Sequence, residues 1–472
     1  MKKISILQIF PVFLLLILPL IIFPYLNPEV LKPLIGEIAV LLLLILQLFF
    51  FLKKKEINFP SLFHPFLLPF AFVYFLLMGL KGVSIFAHPE GYLPLFYILF
   101  LGLNPKIPTC CKEGIIIISG VVAIIGIIEK IYSLPGEWKL KFPEGIVSTL
   151  GNPNTLGGYL ACFLPLSFSV VLKRKIYFLI SLAMVLALFF SKSEGAFLAL
   201  FTGFWINWLT ISKKKKKPFL IGVFFIFLLF LYFKYRLPPI SYWWRIFHWK
   251  VGWRMFCEKP LFGWGLGKTL FIYPLYQKEI RNSFPYPPPI IRERYLHNDY
   301  LQILVETGIL GWCLWMGVLV GLFYSIKTNK KNFLELVSLS TWMALGIISF
   351  PVYNPSLTFP LLLYFSSSFR EKKVKLKKWY LPIIILFILF SLSTLSICKV
   401  LFSQYYYLKG IHLLERNEKE LGESLLLKSI KINPSSPYPY HALYILYKER
   451  HNDEKAQFFK KEAESRGIFY QK

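Results

Sequence analysis

A chain of 472 residues that is 56% hydrophobic and 18% aromatic, with only 25 acidic residues, is excluded from the ordinary soluble class and from the disordered one. Its formal charge of +29 comes mostly from lysine clusters set between apolar runs, where topology and anionic lipid headgroups account for it, so no nucleic acid is expected as a partner. The composition predicts an integral membrane protein.

In chain order, apolar runs near the roughly 20 residues needed to cross the hydrocarbon recur at 5–25, 31–52, 62–80, 91–103, 114–131, 155–172 and 176–190. They continue at 195–211, 218–233, 300–326, 333–350, 355–369 and 379–402. Backbone groups in lipid must be satisfied within each segment, so these are helices. The expected fold is all-α and polytopic, with about 12–13 transmembrane helices. The first run lacks a small-residue cleavage site and reads as an uncleaved span.

Short cytoplasmic loops collect Lys and Arg. Here every second connection is basic: Lys2-Lys3, Lys53 to Lys55, Lys106 with Lys112, Lys173 to Lys175, Lys213 to Lys217, Lys327 to Lys331 and Arg370 to Lys378. The N-terminus is therefore expected in the cytoplasm. Four regions follow: N-terminal spans in 1–233, a long extracytoplasmic loop at 234–299, C-terminal spans in 300–402, and an extracytoplasmic tail at 404–472. The six cysteines show no metal-type spacing and no paired extracytoplasmic framework, so neither disulfide nor bound metal nor other cofactor is expected.

The long loop holds Arg245, Arg254, Arg292 and Arg294 among eleven cations, against Glu258, Glu279, Glu293 and Asp299. Cations on the side where topology does not need them suggest an anionic ligand, with phosphate suited to guanidinium groups. Residues 241–256 mix four tryptophans with cations and read as a helix lying in the headgroup region, with Arg245, His248 and Gly252 on one face. Pro260 and the run Gly263, Gly265, Gly267 read as a tight turn that permits close backbone approach. A proline-rich extended stretch at 281–291 then leads to His297.

Asn298 or Asp299 can cap the helix that follows, placing its positive end beside His297. Asn298, Gln302 and Glu306 stand four apart on one face. A carboxylate that deep in a membrane helix is costly unless it meets a partner or a wet cavity, and so marks function.

The tail changes character. Helices at 404–416, 419–431, 437–449 and 453–466, with Tyr440, Ala442, Tyr444, Tyr447 and Ala456 at packing positions, resemble tetratricopeptide repeats. One or two repeats are too few for a solenoid, so the tail is expected to pack on the membrane region or on a protein partner.

His297-Asn298, followed after nine residues by Gly308 and Gly311, in a multi-span chain with a long loop ahead of that helix, resembles the histidine motif of O-antigen ligases and the related lipid-linked glycan polymerases. Gly151-Asn152-Pro153-Asn154 and Arg245 with the glycine run fit as well, and the resemblance covers roughly 145–325. It implies transfer of a glycan from an undecaprenyl-pyrophosphate carrier to a hydroxyl on lipid, growing glycan or protein, at the outer face of the cytoplasmic membrane. It further implies inversion at the anomeric carbon and no metal. His297 would act as general base, with Arg245 and Glu306 beside it in the catalytic set. Asn298, Gln302, Arg254, Arg292, Arg294, Lys192, Asn152 and Asn154 would bind substrate. One departure stands out: the family's Ser-Arg-Gly-Ala reads Ser193-Glu194-Gly195-Ala196 here. Lys192 then supplies the missing cation, Glu194 pairs with a loop arginine and repositions it, or the chain has diverged in substrate or lost activity. A transporter or flippase and a non-catalytic membrane scaffold are the alternatives, and the absence of paired inverted repeats counts against transport.

Overall fold

The computed structural model describes residues 6–21, 32–33, 35–43, 45–46, 56–60, 93–103, 109–132, 145–171, 174–211, 240–284, 293–327, 332–366, 371–375, 380–434 and 436–465. The expected spans at 62–80 and 218–233, the cluster Lys213 to Lys217, and Arg292 lie outside them. The chain is an all-α polytopic membrane protein. Its helices are α1 (Ile6–Ile17), α2 (Leu93–Leu103), α3 (Thr109–Tyr132), α4 (Pro153–Val171), α5 (Phe178–Phe190), α6 (Glu194–Ile211), α7 (Ile240–Glu258) and α8 (Thr269–Arg281). They continue with α9 (Asp299–Lys327), α10 (Phe333–Ile348), α11 (Pro355–Ser366), α12 (Tyr380–Glu415), α13 (Lys419–Ile432), α14 (Pro437–Glu449) and α15 (Asp453–Ser465). Among the described residues, three helices are long and apolar enough to cross a membrane: Cys111–Tyr132, Pro153–Val171 and Asp299–Tyr324. Shorter apolar helices at Phe10–Leu20, Phe178–Phe190 and Phe333–Ile348 stand with them.

In lipid, helices associate through small residues and interhelical hydrogen bonds rather than through the hydrophobic effect. The pairing of α6 with α10 follows that rule: a Cβ on Gly203 would meet Thr341 Oγ1 at 2.3 Å, so the backbones approach closely. Beside it the Asn207 amide donates to Leu336 O at 3.2 Å and to Ser340 Oγ at 2.9 Å. Helix α4 packs on the same partner, with Ser338 Oγ donating to Cys162 O at 2.6 Å. Tyr159, Phe163 and Phe359 fill the buried centre.

Strand β1 (Glu56–Pro60) pairs antiparallel with β2 (Glu371–Lys375), Glu56 opposite Lys375 and Pro60 opposite Glu371. This ribbon joins the connections that carry Lys53 to Lys55 and Arg370 to Lys378. Elsewhere Lys32 Nζ donates to Pro19 O at 3.2 Å and Thr149 O at 2.7 Å, bringing the start of the second expected span to the first span and to the 132–154 connection.

Outside the bundle, α7 and α8 pack with the start of α9 around Phe247, Val251, Met255, Tyr273 and Leu296. The tail helices build a separate small core of Leu426, Tyr440, Leu443, Tyr447 and Ala463. Helix α12 runs without interruption from the expected last span into the tail, so residues 404–415 are its continuation rather than a separate helix.

Candidate active site

His297 sits in the left-handed region, φ 52°, and the next residue opens α9. Asn298 is the cap: its Oδ1 accepts the Leu301 N–H at 3.0 Å, and its carbonyl accepts the Gln302 N–H at 2.9 Å. The sharp turn directs the imidazole away from the helix toward α7 and Phe350. Its ring centroid lies 5.4 Å from that of His248 and 5.3 Å from Phe350. Helix α7 comes this near because of Gly252, where a Cβ would meet Leu296 at 2.6 Å and Leu301 at 3.0 Å. His248, buried one turn earlier, is hydrogen-bonded through Nδ1 to Tyr273 Oη at 2.5 Å, with Glu293 4.0 Å from Nε2.

Burial disfavours a charged imidazole, and the nearby Arg245 cation adds to it, so the His297 pKa is lowered to about 4. Burial and then His297 lower that of His248 to about 3. Both rings are neutral near pH 7, and His297 is free to take a proton. Arg245 itself is held below its ordinary value by burial, an effect opposed by the Glu194 carboxylate. The field of Glu194 thus acts on Arg245, and that of Arg245 on His297.

Glu306 is buried and surrounded by donors. Its Oε1 accepts Gln302 Nε2 at 2.6 Å and Thr269 Oγ1 at 3.1 Å, its Oε2 accepts Tyr353 Oη at 3.4 Å, and the Gly267 N–H also donates to the carboxylate. Gln302 carries the constraint onward. Its Nε2 also donates to Arg294 O at 3.3 Å, and its Oε1 accepts the Leu296 N–H at 2.9 Å, so the backbone immediately before His297 is fixed from α9.

Two residues past Glu306 the helix breaks at Gly308, φ 69° and ψ −174°, a region open essentially only to glycine. The break frees carbonyls that the glycine turn then satisfies. Trp264 N–H donates to Val305 O and Gly265 N–H to Glu306 O, both at 2.9 Å, while Ile309 N–H donates to Pro260 O at 2.8 Å. A Cβ on Gly263 would lie 2.5 Å from Glu306 C, so the turn docks backbone to backbone. The two glycine signals of the sequence are halves of one joint.

Two recesses flank His297. An open apolar groove of about 930 Å³ runs beside Asn298 and along α9, lined by Ile246, Trp249, Trp253, Leu301, Leu304 and Trp312. On the Phe350 side lies a partly enclosed cleft of about 440 Å³ lined by Lys32, Thr155, Tyr295, Tyr353, Asn354 and Ser356. A family model described as O-antigen ligase matches residues 179–316, which takes in α6, α7, α8, the glycine turn, His297 and the break at Gly308. Residues 179–316 are an O-antigen ligase family domain. Comparison with curated proteins returns no match.

The ligase domain is that of a membrane glycosyltransferase-like enzyme, of O-antigen ligase or polymerase type, which works on lipid-linked glycan among membrane lipids. The residues predicted from sequence separate into groups. His297, Arg245, Asn298, Gln302 and Glu306 come together. Asn152 and Asn154 form a turn, Asn154 N–H donating to Asn152 Oδ1 at 2.8 Å, and Asn154 Oδ1 accepts Ser193 Oγ at 3.1 Å, so this turn meets the start of α6. Lys192, exposed and left-handed at φ 52°, stands in the adjoining turn. Arg294 lends its backbone carbonyl to Gln302. Arg254 is exposed, with its Nε donating to Glu279 at 3.0 Å and Glu258 nearby. Its charge is already spent on carboxylates of the loop.

Sequence reasoning did not assign roles to His248, Tyr273, Thr269, Tyr353 and Phe350. For His248 a signal existed, since it shares a helix face with Arg245 and Gly252. For the others none did, because they meet the site only through long-range packing.

Proposed function

We propose that the domain transfers a glycan from an undecaprenyl-pyrophosphate carrier to an acceptor hydroxyl at the outer face of the cytoplasmic membrane, with His297 as general base and Arg245 holding the pyrophosphate. The observation that carries this reading is a neutral, half-buried imidazole within the field of a partly buried guanidinium, beside an apolar groove. The acceptor oxygen attacks the anomeric carbon and gives its proton to His297. The carbon–oxygen bond to the carrier breaks, and the pyrophosphate departs with the electron pair beside Arg245. In-line displacement inverts the anomeric centre.

The tryptophan-lined groove supplies an apolar path for a polyprenyl chain. Glu306 acts as a positioning residue: it orients Gln302, which holds the backbone on which His297 turns. Asn152, Asn154 and Lys192 border the acceptor side, and the tail, projecting on the outer face, receives a protein partner. The direct test is His297→Ala. Removing a general base costs about 10²–10⁴-fold in rate, so the variant inserts normally while undecaprenyl-linked glycan accumulates in lipid extracts. Normal surface glycan in that strain would overturn the mechanism.

A further inference from the structure

The reading above leaves Lys32 without a task. It lies far from the ligase domain in sequence and is 4% exposed, so its ammonium is removed from bulk water. An ammonium has three protons to donate. Two go to backbone carbonyls, Pro19 O at 3.2 Å and Thr149 O at 2.7 Å. Among the described residues no carboxylate pairs with it. Burying a cation against neutral acceptors alone is costly unless an anion completes the site.

The wall opposite is also incomplete. Ser356, 1% exposed, lines the same cleft, and its Oγ is buried without a hydrogen-bond partner. It lies in the first turn of α11, whose cap is Asn354, with Oδ1 accepting the Leu357 N–H at 3.3 Å. The cleft therefore faces the positive end of a 12-residue helix. A buried ammonium that no carboxylate among the described residues pairs, an unpartnered hydroxyl and a helix N-terminus converge on one recess. Its far wall, Tyr295 stacked on Phe350 at 4.3 Å, is shared with His297.

We infer that this cleft is an anion subsite, in which Lys32 and Ser356 bind an anionic oxygen group of the lipid-linked substrate. The inference rests on the transferase reading for the identity of that substrate, but the site itself does not. Two sources offer the same chemistry: a phosphate of the carrier, or an acidic substituent on the glycan. The position suits either, since the cleft shares Phe350 with the surroundings of His297.

The test uses the full-length protein in nanodiscs, with inorganic pyrophosphate and glucuronate as separate probes, and reads the shift of the thermal unfolding midpoint against probe concentration. Losing a charge-assisted buried contact weakens binding by about tenfold or more. If the subsite takes carrier phosphate, pyrophosphate stabilises the wild type, and Lys32→Met raises its apparent Kd by at least about tenfold while Lys32→Arg restores most of it. If it takes an acidic sugar, glucuronate shows that pattern instead. Ser356→Ala, which leaves the charge and the fold in place, weakens the same probe by a smaller factor and controls for misfolding of the lysine variants. Equal affinity of wild type, Lys32→Met and Ser356→Ala for both probes would overturn the inference. That result is separable from failure of the transferase reading, which His297→Ala decides on its own.

Discussion

Replacing Glu306 with Gln separates a positioning role from a chemical one. The carboxylate accepts four bonds, from Gln302, Thr269, Tyr353 and the Gly267 N–H, and donates none. A glutamine in the same volume has one oxygen, and its amide would turn two further N–H groups toward donors. The hydroxyls of Thr269 and Tyr353 can rotate to accept from that amide, whereas the Gln302 amide and the Gly267 N–H cannot. The retained oxygen can still accept the Gln302 amide, so about one buried donor, the Gly267 N–H, loses its acceptor, at about 1–3 kcal/mol. The damage should be local, loosening the joint between the 260–267 turn and the helix break and freeing the backbone before His297. Tryptophan fluorescence on heating reads the stability, since Trp264 sits in the turn, and transfer from purified lipid-linked glycan reads the activity. Both should fall together, and Glu306→Ala should behave no better. A variant that melts like the wild type yet transfers at least about a hundredfold more slowly, the scale of a lost general acid or base, would refute positioning and assign Glu306 to the chemistry.

Four further outcomes are expected. Because His297 holds its proton only below about pH 4, kcat/KM should be level through neutral pH and fall as pH drops toward 4, and an acid limb centred at or above 6.5 would contradict its environment. Both histidines have folded pKa values below the ordinary one, so the unfolded chain takes up protons first, and thermal stability present above about pH 6.5 should be lost progressively as pH falls through about 4 and then 3. Gly308→Ala would place a Cβ 2.2 Å from Leu261 O at a dihedral pair reserved for glycine, costing about 3 kcal/mol or more, seen as loss of monodisperse protein on size exclusion; wild-type yield and melting would show the break to be dispensable. Glu194→Gln removes the carboxylate that opposes the effect of burial on Arg245 and should slow transfer by about tenfold, the scale of one charge-assisted contact. Faster transfer would mean that the acid restrains the guanidinium.

Much of the site was legible because it is local. The stripe Asn298, Gln302, Glu306 follows from helical spacing alone and is observed as a chain of contacts, and Asn298 caps as its amide allows. The glycine run was read as a place of close backbone approach, which it is. What it approaches was not legible. Residues 300–326 read as one continuous apolar helix, and the break at Gly308 exists only because a turn some 45 residues earlier satisfies the freed carbonyls. The same limit explains Arg254, which shares its loop with Arg245 yet ends on an exposed face beside Glu279, a neighbour that only the packing of α7 against α8 supplies. The β1–β2 ribbon, formed by strands more than 300 residues apart, was equally out of reach.

Helix α12 has a mechanical consequence. Its 36 residues span about 54 Å at 1.5 Å per residue, and no flexible segment separates the part expected in the bilayer from the part that carries the tail. The tail is therefore oriented like the head of a key on its shaft. Adding one alanine near residue 403 would turn it by about 100° and lift it by about 1.5 Å, whereas adding seven would return it to nearly the same heading about 10 Å higher. Anything that grips the tail would thereby be aimed at one fixed side of the transferase, and whatever turns the tail would exert torque on the bundle itself.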